Sequence, residues 1–139
     1  MRIAPLSITS LLLMAALING CNQVREGSGR LSFLNGKETG TLFVGKTVEA
    51  LNLSTGTSSF TYYSEDGKAR QERLWEHRLG NWRINEKGEI CLQFGERKEG
   101  CRMIGELNGT YRKYRPDKNG QLKPVVRYRQ FLEGNVLQL

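Results

Sequence analysis

Apolar and polar residues alternate in short runs along most of the chain after residue 30. The runs "TVEALNL" and "SSFTYYS" flank the turn "STGT", and "NWRI" and "ICLQF" flank "NEKGE". Residues i and i+2 of a strand share one face, so Trp82 lies with Ile84, and Ile90 lies with Leu92 and Phe94. Gly, Asn and Asp between such runs are typical of antiparallel strands. The pattern predicts a mainly β fold, a small antiparallel meander that forms an open sheet or a barrel-like sheet.

Two segments depart from this alternation. The segment "GKETGTLFVG" fits either a short N-terminal helix or a strand. The segment "ARQERLWEHRLG" contains good helix formers, but helix propensity is a weak signal, and we expect strand or irregular structure there.

The last part of the chain reads "GTYRKYR", then the turn "PDKNG", then "KPVVRYRQFLEGN", which predicts a long final hairpin. Strict alternation in its second strand puts Phe131 on the same face as Arg127 and Arg129. Val126 and Tyr128 would then lie on the opposite face.

The amino terminus has a different pattern. Arg2 is followed by a mostly apolar segment, residues 3–18, in an order typical of an export signal peptide. Its strongly apolar part, residues 11–18, is much shorter than the about 20 residues that a membrane-spanning helix needs. We therefore expect a cleaved leader over residues 1–20.

The end of this leader resembles the lipobox of bacterial lipoprotein precursors. Ile18, Gly20 and Cys21 match its pattern, while Asn19 is a less usual residue at the position between. The resemblance implies that Cys21 becomes the first residue and carries lipid, and two or more acyl chains anchor a protein stably to a membrane. Asn22 after the cysteine implies the outer membrane, facing the periplasm. An ordinary secretory signal is the alternative.

Cleavage would leave 119 residues, which suits one domain. We expect a lipidated flexible tether over residues 21–30 and a single antiparallel β domain over residues 31–139. The full chain has a net charge of +7, and loss of Arg2 with the leader lowers it to +6. This excess favours anionic partners.

Three cysteines are present. With Cys21 lipidated, Cys91 and Cys101 remain as an even pair in an oxidising compartment, where disulfides persist. We predict a structural disulfide between them, because the polar, turn-like stretch between them can bring two strands together.

The sequence gives little support for catalysis. His77 is the only histidine, and no nucleophile elbow is present. One histidine and two bridged cysteines do not make a usual zinc site, so no metal or other cofactor is expected. Pairs of nearby glutamates occur, but they lie in polar stretches, whereas a general acid needs burial. These pairs are Glu72 with Glu76, Glu86 with Glu89, and Glu96 with Glu99.

Basic residues concentrate in the carboxyl-terminal part of the chain and alternate there with aromatic residues. Arginine binds phosphate and carboxylate groups, and aromatic rings stack on sugars, bases or headgroups. The candidate anion-binding residues are Arg112, Lys113, Arg115, Arg127 and Arg129. The alternative is that these cations keep a solvent face soluble and protect strand edges. Because the chain carries an export signal, nucleic acid is not an expected partner.

The order of several motifs resembles a family of small exported bacterial domains of unknown function. These motifs are "LFVGKTVE", "FTYYSEDGK", "GNWRINEKGEIC", a second cysteine ten residues later, "GTYRKY" and "FLEGN". The resemblance implies a small antiparallel β domain and brings no catalytic residues with it.

Taken together, the sequence predicts an outer-membrane lipoprotein that binds rather than catalyses. The expected partners are the membrane, through the lipid anchor, and anionic lipid, lipopolysaccharide or an envelope protein. One alternative is an inhibitor or accessory protein for an envelope enzyme. Another is a hydrolase of an envelope polymer, which would need two buried carboxylates.

Overall fold

The computed structural model describes residues 29–139, which form a closed antiparallel barrel with one short helix. The predicted leader, the lipidation site Cys21 and all but the last two residues of the predicted tether lie outside the described residues. Within residues 29–139, no helix has the length and apolar character that crossing a membrane requires.

The elements follow one another in a simple order, with one helix near the start and strands from there to the end. In chain order they are β1 (Ser32–Phe33), α1 (Gly36–Phe43), β2 (Lys46–Asn52), β3 (Ser58–Tyr63), β4 (Lys68–Arg73), β5 (Glu76–Ile84), β6 (Ile90–Phe94), β7 (Gly100–Leu107), β8 (Thr110–Pro116) and β9 (Leu122–Glu133).

The barrel is an up-and-down meander that closes on itself. Each strand from β2 to β9 pairs antiparallel with the next, and β2 also pairs with β9. The sequence left open sheet and barrel as alternatives, and the β2–β9 pairing establishes the barrel. β1 adds to the outside edge of β7, where Phe33 is opposite Gly105. Closure pairs each of the eight barrel strands on both sides over most of its length, which reduces the free edge available for aggregation.

The predicted alternation places apolar side chains inside the barrel. Trp82 and Ile90 are buried, with Ile84, Leu92 and Phe94 packed against the same core. The segment "ARQERLWEHRLG" is strand, turn and strand, as expected, because its residues continue the alternation on β4 and β5. Burial of these apolar faces is the main favourable contribution to folding.

Helix α1 closes one end of the barrel and resolves the choice left open for this segment. Asn35 caps the helix, because its side chain accepts from the Glu38 N–H at 3.0 Å, and the Glu38 carboxylate accepts from the Asn35 N–H at 2.8 Å. The Thr39 hydroxyl donates to the carbonyl of Gly88, between β5 and β6, at 3.1 Å. Phe43, at the end of the helix, is fully buried in the barrel.

A β-bulge in β9 corrects the face predicted for Phe131. Glu49 is opposite Gln130, whereas Ala50 is opposite Tyr128, so Arg129 is an extra residue between them. Tyr128 and Phe131 consequently both point inward, where each contacts Phe43. The prediction that Phe131 shares a face with Arg127 and Arg129 was wrong because strict alternation ignores such an insertion.

The two ends of the barrel differ. Gly29, the first described residue, lies against Asn108 in the β7–β8 turn, at the end that α1 closes. The connections after β2, β4, β6 and β8 lie at the opposite end, because successive strands run in opposite directions. That second end has no helix over it and is called the open end below.

The predicted disulfide is confirmed. Cys91 on β6 and Cys101 on β7 are direct cross-strand partners with a Cα–Cα distance of 3.9 Å, and their sulfur atoms are bonded. The bond ties β6 to the start of β7. The described residues by themselves form a closed barrel with its own core and the disulfide.

Candidate functional site

A cavity of about 230 Å³ lies inside the barrel between its aromatic floor and the open end. Its walls come from six strands, β2, β3, β4, β5, β6 and β9, together with Lys113 of β8. Polar groups line much of it, including Asn52, Thr57, Ser59, Thr61 and Gln71. We call it the inner cavity.

Two tyrosines form the floor of the inner cavity. Tyr63 and Tyr128 pack edge-on against Phe43, with ring centroids 5.0 and 5.1 Å away. Phe43 is the last residue of α1, so the helix that closes the barrel supports both rings from the closed end. The Tyr128 hydroxyl is buried and has no hydrogen-bond partner among the described residues. Burial raises the pKa of both phenols, so each keeps its proton and can donate it in a hydrogen bond.

Three cationic side chains also line the inner cavity. Arg73 ends β4, Arg78 lies near the start of β5, and Lys113 lies in the middle of β8. Lys113 points inward because it is paired with Ile104 and Val126, which face the interior. Desolvation, and then the charge of Arg102, lower its pKa to about 8.

Aromatic rings hold two of these cations in place. The Arg78 guanidinium lies 4.7 Å from the centroid of the Phe94 ring, and the Lys113 ammonium lies 6.0 Å from that of Tyr128. Burial and the nearby charges of Arg97 and Arg73 lower the pKa of Arg78, although arginine stays charged at neutral pH.

No aspartate or glutamate of residues 29–139 lines the inner cavity. Three cations therefore face one small space without a carboxylate to neutralise them there. Because the interior of a protein screens charge less than water does, the potential in this space is strongly positive. An anion placed there would meet cations and a phenolic hydroxyl that lacks a partner.

The structure distributes the five sequence-predicted anion-binding residues over different places. Only Lys113 lines the inner cavity. Arg112 and Arg127 are cross-strand partners on the outer surface, and Arg115 is exposed near the end of β8. Arg129 forms an ion pair with Glu49 at 3.3 Å.

Part of the predicted basic and aromatic surface does form a groove outside the barrel. This outer groove has a volume of about 520 Å³. Its lining includes Arg127 and Arg129, and also Tyr111 and Phe131, whose rings contact each other and pack against the core. Glu49 already neutralises Arg129 there. A cation of the outer groove is thus already paired with a carboxylate, whereas no described carboxylate lines the inner cavity.

None of the residues weighed for catalysis lines the inner cavity, although Glu76 lies near Arg78 and its charge partly offsets the lowering of the pKa of that guanidinium. Glu76, Glu86, Glu96, Glu99 and His77 are exposed. Glu99 accepts a hydrogen bond from the Arg83 guanidinium at 2.9 Å, which lowers the pKa of this carboxyl, whereas a general acid needs it raised.

A cluster formed by Cys91, Cys101 and Glu99 resembles a metal site by proximity. The disulfide occupies both sulfur atoms, so neither is available as a thiolate ligand.

Sequence reasoning missed Arg73 and Arg78 as site residues. The alternation contained a signal for Arg73, because Ala69, Gln71 and Arg73 are successive inward positions of β4 and Ala69 is fully buried. Arg78 is two residues before Gly80 and four residues before the buried Trp82, so its side chain lies on the same inward face of β5. A cation at an inward position of a predicted barrel is therefore a usable signal.

Comparisons with known proteins add no assignment. The chain matches no protein-family model, no curated protein and no solved structure. The function is therefore argued from the geometry and chemistry of the inner cavity.

Proposed function

We propose that this chain is a lipid-anchored binding protein of the bacterial cell envelope, and that it takes the anionic group of a ligand into the inner cavity. It acts by binding rather than by catalysis. This proposal keeps the anionic partner expected from the sequence but moves the principal contact from the outer hairpin surface to the barrel interior.

One observation carries the proposal. The inner cavity combines three cations with a buried, unpartnered phenol and no lining carboxylate. A buried donor without a partner costs roughly 1–3 kcal/mol, and buried charges are ordinarily paired. An anion that accepts from the Tyr128 hydroxyl and the Lys113 ammonium would remove both costs together.

The size of the inner cavity limits what it can hold. A space of about 230 Å³ is below the ~300–1,000 Å³ typical of sites for whole drug-sized molecules. It therefore suits a single acidic group, such as a phosphate, sulfate or carboxylate, with the few atoms attached to it. The rest of any larger ligand would extend toward the open end.

The proposed anchor gives the barrel an orientation. The described chain begins at Gly29, at the end closed by α1. A lipid on Cys21 would connect to the barrel through that end. The open end and the inner cavity would then lie on the side of the barrel opposite the tether, where ligands in the periplasm can reach them.

The test is a titration of residues 29–139 with inorganic phosphate by calorimetry at low salt. Because hydrogen bonds to charged groups contribute about 1.5–3 kcal/mol, Lys113→Gln should weaken phosphate binding roughly 10–100-fold. The matched control is Arg127→Gln, which removes a positive charge from the outer surface and should change the affinity less than about twofold.

The two variants separate the two candidate surfaces. If Arg127→Gln abolishes binding and Lys113→Gln does not, the anion site is the outer groove and the proposal is wrong. If the unchanged protein binds no phosphate, sulfate or acetate at millimolar concentrations, the inner cavity is not an anion site.

A further inference from the structure

A second, larger space adjoins the inner cavity at the open end. The last cross-strand pair of β6 is Phe94 with Gly80, so the first residues of β5, 76–79, extend past the end of β6. The β4–β5 hairpin therefore projects beyond the barrel rim. Beside it lies a space of about 520 Å³, which we call the outer compartment.

The outer compartment has an apolar side. Leu74, Leu79 and Phe94 all line it. Leu74 is 63% exposed and Leu79 is 71% exposed, although burying a leucine side chain away from water is favourable. Apolar side chains that stay exposed beside a concave space are typical of ligand sites.

The turn that carries this apolar side is costly for the fold. Leu74 and Trp75 join β4 to β5 as a two-residue turn, and their φ angles are +49° and +66°. This left-handed region costs roughly 1–2 kcal/mol for a residue with a side chain, and hairpins of this kind normally use Asn-Gly. Trp75 is also 94% exposed. The turn thus holds two large apolar residues in water in a strained conformation, which indicates a role other than stability.

The two spaces share part of their walls. Arg73, Arg78 and Phe94 line both the inner cavity and the outer compartment. The Arg78 guanidinium lies over the face of the Phe94 ring. Arg73 and Arg78 therefore lie at the boundary between the two spaces, whereas Lys113 lines only the inner cavity. The two spaces are therefore adjacent, and the two exposed leucines lie at the rim, next to the cations of the inner cavity.

From the exposed, strained apolar turn beside the cations we infer that the ligand is an anionic amphiphile, with its acidic head in the inner cavity and an apolar chain in the outer compartment. The inference rests on the proposed function, because it uses the same anion site. The volume of about 520 Å³ lies within the ~300–1,000 Å³ typical of small-molecule sites. Arg97 and Glu76 also line the outer compartment, so its rim carries charges of both signs, and the cations that would bind the acidic head are those of the inner cavity.

The experiment uses a series of probes with one head and different tails. Residues 29–139 are titrated with inorganic phosphate, butyl phosphate and octyl phosphate below micelle-forming concentrations, and with octyl glucoside as the uncharged control. Burial of a methylene is worth about 0.8 kcal/mol, so each methylene that reaches the outer compartment should tighten binding about three- to fourfold. Octyl glucoside should bind far more weakly than octyl phosphate.

Variants assign the two parts of the ligand to the two spaces. Leu74→Asn with Leu79→Ser should remove most of the gain from the octyl chain and leave inorganic phosphate binding unchanged. Both side chains are exposed, and asparagine tolerates the left-handed turn, so this variant should fold. The control is Val136→Ser, an exposed apolar residue of the carboxyl-terminal segment at the closed end, which should not change the series.

The outcomes distinguish this inference from the proposed function. If octyl phosphate binds no more tightly than inorganic phosphate, the amphiphile inference is wrong and the anion site stands. If neither probe binds, both are wrong. If octyl glucoside binds as tightly as octyl phosphate, the acidic head adds nothing to binding of the amphiphile and the inference is wrong, while the phosphate titration decides the proposed function separately.

Discussion

Lys113 keeps its ammonium group inside the barrel, and this gives the protein a specific dependence on pH. Burial lowers the pKa of Lys113 from 10.5 to about 8. Between these two values the folded protein holds the lysine neutral, whereas the unfolded chain binds a proton. Stability therefore rises with pH across this window, because the unfolded state binds more protons there. The titratable groups that face Lys113 are Tyr63, Arg73, Arg78, Arg102 and Tyr128.

We predict that the free energy of unfolding increases by roughly 2–3 kcal/mol between pH 8 and pH 10 from this one group. Above about pH 10 the trend should reverse, since burial keeps Tyr63 and Tyr128 protonated only in the folded state. Urea unfolding at closely spaced pH values measures the effect. Lys113→Met should flatten the rise, and a rise that persists in this variant would assign it to another group.

Phe43 is the residue that joins the helix to the barrel. It is fully buried and contacts Tyr63, Tyr128 and Phe131. Phe43→Ala should therefore lower the free energy of unfolding by about 3–5 kcal/mol, through lost burial and the cavity it leaves. Val44→Ala, at a partly exposed neighbour, is the control and should cost much less in the same denaturant titration.

For many individual residues, the sequence correctly predicted whether the side chain faces the inside or the outside of the barrel. Simple alternation placed Trp82 and Ile90 on apolar faces that are buried in the barrel. It failed at Phe131, because the extra residue Arg129 shifts the alternation and no composition signal marks a bulge. The role of Lys113 was also hidden, since a lysine next to arginines in a strand looks like a solvent-facing residue.

The β4–β5 turn is the element in which stability and the inferred function conflict. Leu74→Asn with Trp75→Gly would replace the turn with the dipeptide that its backbone favours. We predict that this change raises the free energy of unfolding by about 1–3 kcal/mol and weakens octyl phosphate binding. Thermal unfolding and calorimetry on the same samples measure both effects. A loss of stability would show that Leu74 and Trp75 stabilise the fold.

The β6–β7 hairpin is held by the disulfide. Cys91 and Cys101 are ten residues apart, and closing so short a loop restrains the unfolded chain by about 2–3 kcal/mol in the entropy model. The double change Cys91→Ala with Cys101→Ala should lower the free energy of unfolding by that amount, measured in denaturant. Reduction of the unchanged protein should give a similar loss. An unchanged midpoint would mean that the bond contributes little.

Elements differed in how well the sequence predicted them. The strands followed from alternation, and Asn35 with Glu38 is a capping-box spacing that marks the start of α1. Helix and strand nevertheless stayed as alternatives there, because the helix is short and lies between strands. The Leu74-Trp75 turn could not be predicted, since neither residue favours the left-handed region and only the register of β4 against β5 imposes it.

Closure of the whole barrel depends on contacts far apart in the sequence. β2 pairs with β9, so that Thr47 is opposite Leu132. No local pattern announces such a pairing, which explains why the sequence left open sheet and barrel undecided. The inner cavity depends on this closure, because it brings Lys113 of β8 near the cations of β4 and β5. The cation cluster could therefore not be predicted as one site.

For the whole molecule, the proposed lipid anchor predicts that the intact protein is attached to a membrane. Full-length protein expressed in bacteria should be found with the membrane fraction, and its intact mass should fit cleavage before Cys21 plus attached lipid. Cys21→Ser should leave the mature protein free of the membrane, because the thiol that carries the lipid is gone. Unlipidated wild-type protein in the soluble fraction would contradict the anchor.

The plug formed by α1 has a consequence for how cargo would travel. Because α1 closes one end of the barrel, a ligand would enter and leave the inner cavity through the open end and could not pass through the barrel. A donor of the ligand and an acceptor of it would therefore have to bind at the open end one after the other. By this geometry the protein would be a cup that keeps or hands over its contents, and not a conduit.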